Sequence, residues 1–115
     1  PMYPSIPEIS VEELALRLNN QEPDLQLIDV RELYEVEIAA LEGFEILPLS
    51  SHAEWSTNIT TRFNPQYETL VICHHGVRSA SMCQWLQSIG FINVKNIVGG
   101  IDAYSLSVDR NVPRY

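Results

Sequence analysis

Positive charge is what this chain has least of. Its 115 residues carry seven Lys and Arg against fifteen Asp and Glu, a formal net charge of −8. A balance of that sign excludes nucleic acid and anionic membrane as general partners, because both recruit proteins through positive surface. Long apolar runs are missing too: none approaches the roughly 20 residues that span a bilayer. The opening residues PMYPSIPEIS have neither a basic start nor an apolar centre, so no secretory leader is read there and the cytoplasm is the expected compartment. The chain starts at Pro1 rather than at an initiating methionine, which is compatible with excision from a longer protein.

Cysteine is equally scarce. Only Cys73 and Cys83 are present, and in a cytosolic chain a disulfide between them is not expected. Cys83 falls inside a helical pattern on its inward side and reads as a small buried hydrophobe; the alternative is a resolving thiol for Cys73. Repeats, low-complexity tracts and long linkers are absent. The length suits one domain over 1–115, with 1–5 and 108–115 as peripheral terminal segments.

What remains alternates between helix and strand. Ser10 with Glu13 three residues on has the capping-box form, and Val11, Leu14, Leu16 and Leu18 then predict a helix to about Asn19. A turn at Gln21–Asp24 leads into a short apolar strand over Leu25–Val30, ending near Asp29. A short helix is predicted over Glu32–Ala40, broken by Gly43, and a second strand at Ile46–Leu47. Ser51–Trp55 has the start of a helix, whereas Thr57–Gln66 reads as loop. Thr69–Cys73 is a strand, Ser79–Ser88 a helix, Val94–Val98 a strand and Ile101–Ser107 a last helix after the Gly99–Gly100 turn. Short apolar strands alternating with helices imply α/β architecture, a parallel sheet covered on both faces. Ligands of such sheets bind beyond the carboxyl ends of the strands, and Cys73 stands at such an end.

The loop Cys73-His74-His75-Gly76-Val77-Arg78 brings together the parts of an anion site. A short loop entering a helix aims successive backbone N–H groups at one centre, and the helix adds its own free amides and dipole. Gly76 supplies a residue able to take positive φ. Arg78 adds a permanent cation that can grip an oxyanion in bidentate fashion. A thiol in that field favours its thiolate form, so nucleophile and anion cradle coincide. His74 and His75 shape the rim. Adjacent histidines on a curled loop diverge, and with no third ligand evident beyond His52 no metal is expected. A cysteine phosphatase would have five residues between nucleophile and arginine, where this chain has four, His74 to Val77. The tighter loop suits one sulfur atom better than a phosphoryl group. A thioredoxin-type Cys-x-x-Cys is excluded by Gly76.

These residues resemble the rhodanese-like, single-domain sulfurtransferase family. Cys73, Gly76 and Arg78, followed by Ser79, match its Cys-x-x-Gly-x-Arg loop. Ile28-Asp29-Val30-Arg31-Glu32 is similar to its Asp-Val-Arg signature, Gly43 with Leu47-Pro48-Leu49 to its Gly-Ala-x-x-Ile-Pro segment, and Gly90-Phe91…Val98-Gly99-Gly100-Ile101 to its closing stretch. The likeness runs over roughly Ile9 to Val112. It departs at Ala40-Leu41, Phe44 and Tyr104, and Ser51–Tyr67 follows no family pattern. The resemblance implies a three-layer fold with a central parallel sheet of about five strands flanked by helices on both faces. It implies that Cys73 carries sulfur as a persulfide, with Arg78 orienting the donor's oxyanion and His74, His75, Gly76, Val77 and Ser79 lining the substrate. Asp29 and Arg31 are then scaffold, a charged pair at a neighbouring strand end. No cofactor is implied. The partners would be a small anionic sulfur donor, thiosulfate or a persulfide, and a thiophilic acceptor such as cyanide, a thiol or a protein, with the chain acting as a monomer. The rival from another class is a regulatory or binding module of the same fold.

Overall fold

A computed structural model of the chain describes residues 5–115; residues 1–4 of the expected N-terminal peripheral segment lie outside it. Five strands, β1 (Glu8–Ile9), β2 (Gln26–Asp29), β3 (Glu45–Ile46), β4 (Thr69–Ile72) and β5 (Val94–Ile97), form one sheet in the order β1-β5-β4-β2-β3. Every pairing is parallel. The helices are α1 (Val11–Asn19), α2 (Leu33–Ile38), α3 (His52–Trp55), α4 (Ile59–Arg62), α5 (Val77–Ser88) and α6 (Gly100–Ser107). None is long and apolar enough to cross a membrane among the described residues. The three-layer α/β fold is the one expected.

Strand β4 lies in the middle, and all four of its residues are buried. That position explains why its sequence is a continuous apolar run rather than an alternating one. Its side chains still alternate between faces. Val71 joins Ile28, Val30, Trp55, Ile59, Phe63, Met82, Cys83 and Leu86 on one side, under α3, α4 and α5. Leu70 and Ile72 join Leu14, Ile97 and Ile101 on the other, under α1 and α6.

Two features differ from the sequence reading. Strand β1 was not legible, because two residues give no periodicity; it is held as an edge by pairing Glu8 with Asn96 and Ile9 with Ile97. The stretch read as loop contains a 3₁₀ turn at Ser56–Asn58 and then α4. Ile59 and Phe63, one helical turn apart, are both buried there, so packing rather than propensity makes that turn.

Strands β2 and β4 are aligned so that Asp29 sits beside Ile72. The residues after them, Arg31 and Cys73, therefore emerge at the same sheet edge. From β2 the chain moves outward to β3, and from β4 it moves the other way to β5. The gap between β2 and β4 is thus where strand order reverses, the usual place for a ligand in an open parallel sheet.

Candidate active site

Cys73 follows β4 directly, and the chain then curls through three residues, His74 to Gly76, into α5. Gly76 stands at the N-cap with φ 101°, a left-handed conformation that favours glycine. The helix begins at Val77, two residues earlier than read, because the loop itself supplies the first turn. Gly76 N–H donates to Cys73 Sγ at 3.1 Å, and Ser79 Oγ lies 3.2 Å from the same sulfur. Ser79 hydroxyl also donates to Asn96 Oδ1 at 2.5 Å, while Asn96 Nδ2 donates to Gly76 carbonyl at 3.0 Å. A hydroxyl has one proton to give. With that proton on Asn96, the sulfur donates its own hydrogen to Ser79; a thiolate would draw the Ser79 proton to itself. The sulfur thus sits on the loop floor with a backbone donor and a turnable hydroxyl, and Cys73 is 1% exposed.

Helix α6 holds the loop from below. Ile101 N–H donates to Cys73 carbonyl at 3.0 Å and Asp102 N–H to His74 carbonyl at 3.1 Å. Gly100 makes that approach possible, since a Cβ there would collide with both of those carbonyl oxygens.

The cation of the loop is turned sideways. Arg78 grips the carboxylate of Glu35 with two nitrogens, at 2.7 and 2.9 Å. Glu35 belongs to α2, where it also accepts from Glu32 N–H at 3.1 Å. The Arg78 bonds, reinforced by that amide, hold the buried Glu35 carboxyl down at about 2 and raise the Arg78 guanidinium above its ordinary range.

Asp29 and Arg31 form the expected scaffold pair. Arg31 is fully buried, donating to Asp29 from Nε at 3.0 Å and from Nη2 at 2.7 Å. Its remaining terminal nitrogen donates to Tyr115 hydroxyl at 3.0 Å, and that hydroxyl donates to Glu35 at 2.8 Å. The ring of Tyr115 stacks on His74, with centroids 3.8 Å apart and planes 7° from parallel. Residues 108–115 are thus not peripheral: Val112 is buried, its carbonyl accepts from Ser105 hydroxyl at 2.6 Å, and Tyr115 ties Arg31, Glu35 and the loop together. Burial pushes the Tyr115 phenol up to about 12, so it is a neutral donor near neutrality.

The remaining loop side chains divide. Val77 points outward and is 76% exposed. His74 and His75 do not diverge as expected: their rings lie 3.8 Å apart, tilted by 31°, and His75 reaches toward Asp102 at 4.0 Å. Burial first, and the neighbouring His75 second, lower the pKa of His74, whose Nε2 is buried without a hydrogen-bond partner. His74, His75 and Asp102 are the one grouping among the described residues that could hold a metal ion, with donor atoms within 4.8 Å of one another. Asp102 already holds Arg114 at 2.9 Å, so a metal would compete for it. Cys83 is fully buried, and burial pushes its thiol up to about 12, the character of a packed hydrophobe rather than a resolving thiol.

Sequence reasoning did not single out Glu35, Asn96, Asp102 or Tyr115. Glu35 was visible as the third residue of a helix preceded by Glu32, a capping signal that also marks a fixed carboxylate. Asn96 and Tyr115 reach the loop from distant parts of the chain and leave no local trace.

A family model described as Rhodanese-like domain matches residues 10–107. The chain is 47% identical over 114 residues to the Rhodanese-like/PpiC domain-containing protein 12, chloroplastic, of Arabidopsis thaliana, covering 96% of this chain and 38% of that one. It is 34% identical over 97 residues to the Putative sulfur carrier protein YrkF of Bacillus subtilis, covering 84% and 50%. With the Adenylyltransferase and sulfurtransferase UBA4 of Meyerozyma guilliermondii it shares 31% over 96 residues, covering 80% and 23%. The chain therefore spans half or less of these relatives' lengths. Among solved structures, the Rhodanese-like Domain Protein from Staphylococcus aureus superposes with a TM-score of 0.76 at 25% identity, covering 96% of this chain and 99% of that one.

Proposed function

As this chain belongs to the rhodanese-like domain family, we propose that it transfers sulfane sulfur by way of a persulfide on Cys73. The observation that carries the reading is the sulfur's setting: a backbone N–H at 3.1 Å and a turnable hydroxyl at 3.2 Å, in a loop with four residues between Cys73 and Arg78 at the strand-order reversal. Names of relatives point the same way, one a sulfur carrier and one a sulfurtransferase.

In the proposed reaction, the Cys73 thiolate attacks the outer sulfur of thiosulfate or of a persulfide. A new S–S bond forms, the donor's S–S bond breaks, and the electron pair leaves with sulfite or with the donor thiolate. An acceptor nucleophile, cyanide or a small or protein thiol, then takes the outer sulfur and returns the thiolate. Gly76 N–H and the free amides opening α5 favour negative charge on either sulfur. Ser79 follows that charge by turning its proton from Asn96 to the sulfur. Arg78, fixed by Glu35, sets the field at the loop's edge.

Intact mass spectrometry tests this. Protein incubated with a sulfur donor gains one sulfur atom, the gain is reversed by cyanide, and Cys73→Ser gains none. If reduced, unmodified Cys73 takes up no sulfur from either donor class, catalysis is ruled out and the binding-module reading stands instead.

A further inference from the structure

We propose that His74, His75 and Asp102 form a binding site for a zinc-class divalent cation, which clips the Cys73 loop to α6. No step of the sulfur transfer proposed above passes through the ion. From the sequence no metal was expected, because adjacent histidines diverge on a curled loop and no third ligand was evident. Both grounds fail in the structure. The two rings lie side by side, 3.8 Å apart and 31° from parallel, and the third ligand reaches the loop from α6.

Three observations build the site. His74 Nε2 is buried with no hydrogen-bond partner, and a buried polar atom left that way is costly until something supplies the missing contact. The placement of His74 against Asp102 is fixed by the fold itself: Asp102 N–H donates to His74 carbonyl at 3.1 Å, and the Tyr115 ring stacks on the His74 ring at 3.8 Å. Finally, Asp102 divides its two oxygens. Arg114 Nε donates to Oδ1 at 2.9 Å, while Oδ2 has only long contacts, Arg114 Nη2 at 3.5 Å and His75 Nε2 at 4.0 Å. A cation on Oδ2 therefore displaces the weaker of the two Arg114 bonds. Nε stays on Oδ1, where it orients the carboxylate as an outer partner does.

The donor set selects the ion. Two imidazoles and one carboxylate suit zinc and its neighbours, whereas magnesium and calcium take shells of oxygen. The three donor atoms lie within 4.8 Å of one another. Tetrahedral zinc, with ligands at about 2.1 Å, holds its donors about 3.4 Å apart, so the widest gap has to close by roughly 1.4 Å. His75, with its side chain 61% exposed, is free to make that movement. Three protein ligands leave the fourth position to water.

Calorimetric titration of the untagged chain with Zn²⁺ and with Mg²⁺ tests the site, together with NMR of the histidine ring nitrogens. One Zn²⁺ should bind per chain, and Mg²⁺ should not. The ring nitrogens of His74 and His75 should shift, while those of His52, packed against Trp55 and Trp85, stay in place. His75→Gln, at an exposed side chain, and Asp102→Asn should each weaken zinc binding by more than about tenfold, since even losses outside the ligand shell cost that much. Arg114→Ala should tighten it severalfold by removing the competing cation. Zinc should raise the urea midpoint of the wild-type chain and leave that of His75→Gln unmoved, because an ion bound only by the folded state stabilises it. Cys73→Ser should bind zinc as the wild type does, which separates this site from capture by the thiolate. No saturable uptake of zinc, affinity unmoved by both His75→Gln and Asp102→Asn, or uptake lost in Cys73→Ser overturns the site. Sulfur loading of Cys73 is not among these readouts, so the zinc site and the transfer reading stand or fall separately.

Discussion

The two ends of the sheet carry clusters built from the same parts. At the N-terminal edge, Glu68, just before β4, takes Arg17 from α1 and Lys95 from β5, while Arg17 forks onto Glu22 at 2.7 and 2.8 Å. At the C-terminal edge, Glu35 takes Arg78 in a fork and Arg31 takes Asp29. Side chains of the first cluster are 18–35% exposed; Asp29, Arg31 and Glu35 of the second are 0–4% exposed. Water does much of the solvating at the first edge. At the second, Arg78 keeps one side in water at 36% exposed, but for Asp29, Arg31 and Glu35 protein groups must do nearly all of it, so each of these partners depends on the next. The same chemistry is a surface staple in one place and the frame of the Cys73 loop in the other.

Removing the carboxylate from the buried cluster should have the largest effect. Glu35→Ala leaves Arg78 unpaired and Tyr115 hydroxyl without its acceptor, and should cost roughly 3 kcal/mol of stability. Sulfur loading of Cys73 should fall by about a hundredfold, since about 1.4 kcal/mol is tenfold and the loop loses both its edge and its strap. Urea unfolding and intact mass measure the two. Loading at the wild-type rate would mean that Arg78 and the loop hold their places without Glu35.

Next in size is a backbone test at the same end. Gly100→Ala places a methyl against the carbonyl oxygens of Cys73 and His74 at a residue with φ 61°. The positive φ alone costs about 1–2 kcal/mol in a non-glycine residue, and the collision pushes the loop off α6. Slower loading, with a loss of stability larger than the backbone cost alone, is the expected pair of results. A variant that loads normally would show that the loop's carbonyls need not dock on α6.

Much of this frame was legible and part was not. Cys73, Gly76, Ser79, Asp29 and Arg31 lie close together in sequence or at the ends of recognisable strands, so short-range pattern places them. The orientation of Arg78 was not legible, because a guanidinium's partner is chosen in space; the resemblance pointed it at a donor anion, and the structure gives two of its nitrogens to Glu35. Tyr115 lies 84 residues from Arg31 and 80 from Glu35, where no periodicity can connect them. Helix α4 was hidden for a different reason. Four residues carry too little propensity to announce themselves, and only the burial of Ile59 and Phe63 stabilises them.

Acid should affect both ends, with a smaller amplitude. Glu35 and Glu68 are each held at about 2, in both cases chiefly by arginine hydrogen bonds. A folded-state value below the unfolded one, near 4.5, means that this stability is complete above about 4.5 and is lost as pH falls toward 2. At pH 3 the loss should be roughly 1 kcal/mol for each group after screening. The urea midpoint measured from pH 5 to pH 2.5 checks it. A flat profile would show that neither carboxylate gains from its arginine.

The smallest expected effect is the one that separates the two ends most cleanly. Glu68→Gln keeps the shape of the side chain but removes the charge that Arg17 and Lys95 share. Arg17 retains Glu22 through a two-point contact, and Lys95, about a third exposed, turns to water. Partly exposed pairs contribute about 0.5–1 kcal/mol, so the unfolding midpoint should drop slightly. Loading of Cys73 should not change, because Glu68 lies at the opposite end of β4 from the thiol and contacts no part of the loop. The acid-dependent loss should shrink by one group's share, leaving the part that belongs to Glu35. If Glu68→Gln slowed sulfur loading as Glu35→Ala does, burial would not be what distinguishes the two clusters. The sheet would then be transmitting charge changes along its strands, and the loop's frame would have to include both edges.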